Sequence, residues 1–208
     1  MAHERDSLRQ TYNRIAEDWH RDHQDDTWWI EGTDMFVSLL PPGAAVLDAG
    51  CGGGTKAKYL TERGMAVTGI DFAGNLIAIA KRDVPAAAFA VMDIYDLSAL
   101  AGQFDGVFVQ AVLLHVPKRD VPNVLRQLAN KVRPGGLFYI AVKEIKPGQP
   151  EEEERTERDY GYEYRRFFSY FTIPELEGHI RPLGFAIVHA DIMPSGNSRW
   201  IQLIARKP

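Results

Sequence analysis

The sequence predicts a single α/β domain built on a doubly wound, mostly parallel sheet, and three observations predict it. From Ala44 onward, short apolar runs alternate with segments of helical period, the pattern of βαβ units whose helices cover both faces of parallel strands. A glycine loop of Gly50, Gly52, Gly53 and Gly54 stands where the first apolar run hands over to the first helix. The last two apolar runs are separated only by Pro194-Ser195-Gly196-Asn197, a hairpin signal. With 208 residues, 45% of them hydrophobic, the chain is long enough for one sizeable core and falls in the single-domain range.

Leu8, Tyr12, Ile15 and Trp19 recur at helical spacing and predict an amphipathic N-terminal helix, with Ser7 and Gln10 in the relation of a capping box. AVLDAG then reads as a strand and TKAKYLTERG as its helix; AVTGID and NLIAIAKR repeat the pair, AAFAVMD is a third strand and FDGVFVQAVLLHV begins with a fourth. In the next helix Val121, Val124, Leu125, Leu128 and Val132 form one apolar stripe, which Pro134-Gly135-Gly136 is expected to end. GLFYIAVKE follows as a fifth strand.

Past Lys146 the segment KPGQPEEEERTERDYGYEYRRFF is poor in aliphatic residues and rich in charge and aromatics, an excursion from the sheet. Its run from Glu151 to Glu154 reads as a solvated helix start. Thr172 and Glu175 repeat the capping-box spacing, Leu176, Ile180 and Leu183 follow at helical period, and Gly184 stops the helix. FAIVHADIM and RWIQLIARK are the two final strands.

Charge and cysteine usage exclude several functions. With 28 acidic against 24 basic residues the formal net charge is −4, so the chain lacks the positive field of a nucleic-acid binder. Cys51, the only cysteine, permits no internal disulfide and no cysteine-rich metal site, and no metal is expected. The start MAHERDSLRQ is charged, and no apolar run approaches the roughly 20 residues of a membrane span. The expectation is a soluble, cytoplasmic protein with neither a nucleic-acid nor a membrane partner; nothing in the sequence fixes the oligomeric state.

The glycine loop admits more than one ligand. A P-loop needs Gly-Lys-Ser/Thr at the helix start, whereas Gly54 is followed by Thr55-Lys56-Ala57, so that reading fails. A dinucleotide fingerprint fits only if shifted to Gly52, Gly54 and Ala57, two residues late after the strand, and stays open. Asp48 and Asp71 close the first two strands and should lie together at the carboxyl edge of the sheet, where an acid accepts hydrogen bonds from ribose hydroxyls. Asp93 follows the third strand. It either accepts from an adenine amino group, with Met92, Phe72 or Ile94 covering the ring, or caps a turn.

The ordered set VLDAGCGGG, VTGIDFAGNLIAIAKR, MDIYDL, FDGVFVQAVLLHV, VRPGGLFYIAV and FFSYFTIPELEGHIRPLGFAIV, spread over residues 8–206, resembles the class I S-adenosylmethionine-dependent methyltransferases, in particular the group acting on small molecules. The resemblance implies a Rossmann-like sheet of seven strands with an antiparallel C-terminal hairpin. It also implies one domain over residues 1–208, with an N-terminal helical flap in 1–40 and a lid insertion in 145–171. By the same resemblance the cofactor is S-adenosyl-L-methionine and the partner a small-molecule methyl acceptor. Asp48, Gly50 and Gly52 would surround the methionine part, Asp71 the ribose, and Phe72, Met92, Asp93 and Ile94 the adenine. Gln110 would lie beside the sulfonium and Tyr12 over the methionine end. The chain departs from the family pattern at Ala73, where serine is frequent, and at Leu114-His115, where paired histidines are frequent.

If the acceptor presents a hydroxyl, His115, just after the fourth strand, is the candidate general base; its alternative is a structural histidine at a loop start. The aromatics from Tyr160 to Phe171, with Trp28 and Trp29, either roof an acceptor pocket or bury the excursion's own underside. Arg165 and Arg166 either clamp an acidic acceptor or pair with the four glutamates of the 151–154 run. Three function classes stay open: a small-molecule methyltransferase, a nicotinamide-dependent oxidoreductase, and a non-catalytic protein that keeps the S-adenosylmethionine site.

Overall fold

The computed structural model describes residues 2–208, with side chains from residue 5; Met1 and the next three side chains of the charged start lie outside the described residues. Helix α1 (Ala2–His23) and α2 (Ile30–Ser38) precede an alternating series of β1 (Ala45–Ala49), α3 (Thr55–Glu62), β2 (Ala66–Asp71), α4 (Gly74–Asp83), β3 (Ala88–Val91), β4 (Phe104–Gln110), α5 (Val121–Ala129) and β5 (Val132–Lys143). Then come β6 (Glu152–Glu157), β7 (Tyr164–Ser169), α6 (Ile173–Ile180), β8 (Ala186–Ser195) and β9 (Ser198–Arg206).

Seven strands form one sheet in the order β3-β2-β1-β4-β5-β9-β8, parallel except for β9, which runs antiparallel to both neighbours. The expected C-terminal hairpin is therefore present. Strand period divides the core into two layers: Leu47, Phe138, Ile140 and Val142 face α5 and α6, while Val46, Leu137, Tyr139 and Ala141 pack with Phe36 of α2 and Leu60 of α3. The chain winds outward from β1 through β2 to β3, then returns to lay β4 against the other side of β1. The crevice at the carboxyl ends of β1 and β4 is the point where strand order reverses, the place such sheets offer a ligand.

Four sequence expectations change. Ser7 is no cap, because α1 already begins at Ala2 and Ser7 lies inside it. Helix α5 ends at Ala129, and Val132, counted above in the helical stripe, pairs with Phe104 as the first residue of β5. Pro134-Gly135-Gly136 consequently forms a bulge inside that strand: pairing jumps from Phe104↔Val132 to Gly106↔Leu137, and Gly135 takes φ +77°. The acidic run is a strand and not a helix start, since β6 pairs antiparallel with β7 and sets Glu154 opposite Phe167, with Arg165 and Arg166 opposite Thr156 and Arg155. Opposite charges across the two strands, Arg165 with Glu154 and Arg166 with Glu157, suit the ladder where four glutamates along one helix would repel.

The second capping box is as expected, with Thr172 Oγ1 accepting from the Glu175 amide and the Glu175 carboxylate from the Thr172 amide. Gly184 ends the segment at φ +90°. Among the described residues no helix is long and apolar enough to cross a membrane, and no cluster of histidine, cysteine or carboxylate side chains could hold a metal ion.

Candidate active site

The glycine loop owes its path to backbone that only glycine adopts without strain. Gly50 takes φ +79°, and a Cβ there would stand 2.2 Å from Val112 Cγ2. The amides of Gly50 and Cys51 both donate to the Ile70 carbonyl, at 2.7 and 2.9 Å, which turns the chain sharply over the end of β2. Asp71 secures the far side: its Oδ2 accepts from the Gly52 amide at 3.0 Å and its Oδ1 from the Ala73 amide at 2.9 Å. A carboxylate has about four acceptor positions, so these amides leave acceptor capacity for a ligand. Burial nevertheless raises the Asp71 carboxyl to about 6 against the pull of those amides. Cys51 packs beneath the loop with its thiol pushed well up by burial, the filler role its size suits.

Asp48, two residues before Gly50, is buried, and its Oδ2 has no hydrogen-bond partner. Burial drives its carboxyl up to about 7; Lys56 nearby opposes the rise and Asp71 adds to it. Gln110, at the end of β4, is likewise buried with both side-chain polar atoms unpartnered. The next residue, Ala111, is the one non-glycine at positive φ among the described residues, at +58°. Strain of this kind persists where surrounding structure fixes it and gathers at functional sites; here the Ala111 amide is held by the Ala141 carbonyl at 2.9 Å. Buried polar groups without partners call for an explanation, and a ligand in the cavity that Asp48 and Gln110 line would supply one.

These residues line one cavity of about 210 Å³ over the carboxyl ends of β1, β2 and β4. The structure brings all eleven sequence-predicted residues to it: Tyr12, Asp48, Gly50, Gly52, Asp71, Phe72, Met92, Asp93, Ile94, Gln110 and His115. Asp93 sits at the half-open rim, its Oδ1 accepting from the Tyr95 amide at 3.0 Å and its Oδ2 facing Arg5 of α1 at 3.4 Å. Tyr12 lines the cavity with Phe72 and Trp19 at ring separations of 6.2 and 6.0 Å, and Trp19 is the ring that lies against Gly52.

His115 lies across from this set. Its Nδ1 is 2.7 Å from the Phe167 carbonyl, which can only accept, so Nδ1 carries the proton and Nε2 accepts from the Tyr12 hydroxyl, also at 2.7 Å. Burial first, and Arg166 second, push the imidazole down to about 3 and hold it neutral.

Of the alternatives left open, Arg165 pairs with Glu154 of the four-glutamate run, whereas Arg166 pairs with Glu157 outside that run and lines the cavity. Phe168 and Trp28 line the cavity, whereas Trp29 is buried away from it against Tyr59. Sequence reasoning missed Lys56, Lys143 and Trp200 in the lining. Lys143 had a legible signal, a cation closing the otherwise apolar strand LFYIAVK.

Residues 47–140 match the family described as Methyltransferase domain. A ubiquinone biosynthesis O-methyltransferase of Xanthomonas axonopodis pv. citri is 35% identical over 112 residues, 51% of this chain and 46% of that protein. One of Methylocella silvestris is 32% identical over 156 residues, 62% of this chain and 60% of that protein. The chain thus spans about half the length of the curated relatives it matches. Among solved structures, the Burkholderia thailandensis 1,6-didemethyltoxoflavin-N1-methyltransferase with bound S-adenosylhomocysteine superposes with a TM-score of 0.76 at 25% identity, covering 97% of this chain and 87% of that one. The magnesium protoporphyrin IX methyltransferase of Synechocystis PCC 6803 shares the fold, with a TM-score of 0.75 at 20% identity over 99% of this chain and 97% of that one.

Proposed function

We propose that the chain is a class I S-adenosylmethionine-dependent methyltransferase, as its match to the methyltransferase domain and its structural neighbours support, and that it transfers a methyl group from S-adenosylmethionine to a small molecule held in the cavity at the β1–β4 crevice. The observation that carries the proposal is the buried, unpartnered carboxylate of Asp48 beside the glycine loop. With Asp71 it makes this end of the cavity acidic, which suits the ammonium of a methionine moiety and opposes the pyrophosphate of a dinucleotide. The nicotinamide reading loses on that charge.

In this account Asp48 accepts from the cofactor's amino group while the glycine loop lets the methionine moiety approach the backbone. Asp71 takes the two ribose hydroxyls on its free acceptor positions. Phe72, Met92 and Ile94 cover the adenine and Asp93 accepts from its amino group. Gln110, which precedes the strained turn at Ala111, would lie beside the sulfonium and Tyr12 over the methionine end. The sulfonium is itself an activated methyl donor, so the chain's contribution is to aim the acceptor and exclude water. His115 is a neutral base lining the cavity. Its Nε2 takes a proton from an acceptor hydroxyl by exchanging the Tyr12 hydroxyl for it, and its low basicity confines it to a proton released as transfer proceeds.

Residues 1–40 act as the flap and 145–171 as the lid of one cytoplasmic domain, closing together over the acceptor. The test is incubation with methyl-labelled S-adenosylmethionine and a low-molecular-weight metabolite fraction, beside bulk RNA, DNA and protein. Label is expected in the small-molecule fraction with S-adenosylhomocysteine as co-product. Label confined to macromolecules would contradict the proposal.

A further inference from the structure

Lys143 closes β5 at the acceptor end of the cavity. Gln110 pairs with Ala141, so Lys143 lies two residues farther along on the same face, about 7 Å beyond the level of Gln110. Its carbonyl accepts from the Phe171 amide at 3.0 Å, which pins the strand end. The half-buried side chain lines the cavity with Nζ 4.9 Å from the Phe168 ring centroid and 5.5 Å from that of Trp200. Among the described residues its ammonium meets only these ring faces; no carboxylate pairs with it.

The reason is that neighbouring carboxylates are already taken. Glu157 holds Arg166 through two hydrogen bonds of 2.5 and 2.7 Å, and Glu153 holds Arg155 at 2.6 Å. Burial, then Arg166 and Arg155, with Lys146 a lesser contributor, pushes the Lys143 ammonium down to about 8; Glu157 alone opposes them. A cation this poorly compensated in a partly buried site is a place for an anion. The walls beside it are flat: Trp28 stacks on Trp200 at 4.0 Å and 13°, and Phe168 closes the other side.

The cavity is thus polarised, with the two carboxylates of Asp48 and Asp71 against the one ammonium of Lys56 at one end and the unpaired cation of Lys143 at the other. We propose that Lys143 determines acceptor specificity, and that the acceptor is a small planar ring bearing a carboxylate, whose charge pairs with Lys143 Nζ while the ring lies along Trp200 and Phe168. The inference rests on the methyltransferase reading, since it takes the opposite end of the cavity for the cofactor.

The test uses the full chain saturated with S-adenosylhomocysteine and a set of hydroxybenzoates and aminobenzoates, each beside its methyl ester, with tryptophan quenching or calorimetry as the readout. At least one acid is expected to bind about tenfold or more tighter than its ester, the size of effect a charge-assisted hydrogen bond gives. In Lys143→Met that preference should vanish while S-adenosylhomocysteine binds as in the parent, and Lys143→Arg should retain it. Equal binding of acids and esters, a preference for esters, no saturable binding by any acid, or an acid preference that survives in Lys143→Met would each overturn the proposal. If S-adenosylhomocysteine fails to bind the parent protein, the methyltransferase reading falls and takes this one with it.

Discussion

The Tyr12 hydroxyl donates to His115 Nε2 at 2.7 Å, and that one bond ties α1 to the turn after β4, which the Phe167 carbonyl in turn ties to β7. Helix α1, the turn after β4 and strand β7 thus meet at the partly buried imidazole of His115. Tyr12→Phe leaves Nε2 without a donor, a loss of about 1–3 kcal/mol. At about 2–4 °C per kcal/mol for a chain of this size, the melting temperature should fall by several degrees, and hydrogen exchange should rise together in α1 and in β6–β7. An unchanged melting temperature, or faster exchange in one segment alone, would break the link.

Asp48 sets a pH dependence whose sign is fixed by its burial. Its carboxyl titrates near 3.8 in the unfolded chain and near 7 in the fold, so between those values the folded protein binds more protons and the group's contribution to stability drains away as pH rises. Relative to Asp48→Asn, the wild type without ligand should be at its most stable below about pH 4 and lose ground up to about pH 7. Thermal melts of both proteins across that range measure the difference. A gap that stays constant, or moves in favour of the wild type, would contradict the assignment.

Gly50 and Gly64 offer a matched comparison, because both have positive φ, +79° and +81°, but only Gly50 has a neighbour within reach of an added Cβ. Gly64→Ala should cost about 1–2 kcal/mol for left-handed backbone alone. Gly50→Ala should cost a further 1–3 kcal/mol or so from displacing Val112 and should weaken cofactor binding as well. Urea unfolding resolves the two, and equal losses would show that the loop is not so tightly packed.

The legible part of this molecule is the part written by local chemistry. An acid or amide at the end of each apolar run, Asp48, Asp71 and Gln110, announced a strand end and its edge of the sheet, and all three reach the cavity. Val132 fitted a helical stripe by number, yet its pairing with Phe104 was decided by a strand elsewhere in the chain. Glutamates 151–154 look solvated in either a helix or a strand; what made them a strand was a set of arginines and aromatics ten and more residues later. Lys143 stands out in the sequence as a cation closing the apolar run LFYIAVK, but that Arg166 and Arg155 already occupy Glu157 and Glu153 is a tertiary fact that no spacing records.

Glu157 and Glu154 stand in the same hairpin and pair with Arg166 and Arg165, but the first pair is largely buried, at 14% and 19% side-chain exposure, and the second open, at 61% and 59%. Glu157→Gln should cost about 1.5–3 kcal/mol, since it leaves a buried guanidinium with a weaker partner. Glu154→Gln should cost under about 1 kcal/mol. Similar melting temperatures for the two variants would mean that the inner pair does not hold the β6–β7 hairpin.

The central claim, that the acidic glycine-loop end of this cavity holds S-adenosylmethionine, is tested most directly by calorimetric titration with S-adenosylhomocysteine beside NAD, in the parent and in Asp71→Asn. One equivalent of S-adenosylhomocysteine should bind the parent and NAD should not. The substitution keeps one acceptor oxygen for the Gly52 or Ala73 amide and removes the charge from two ribose bonds, so affinity should fall by about tenfold or more. Tighter binding of NAD, or S-adenosylhomocysteine affinity unchanged by Asp71→Asn, would contradict the account.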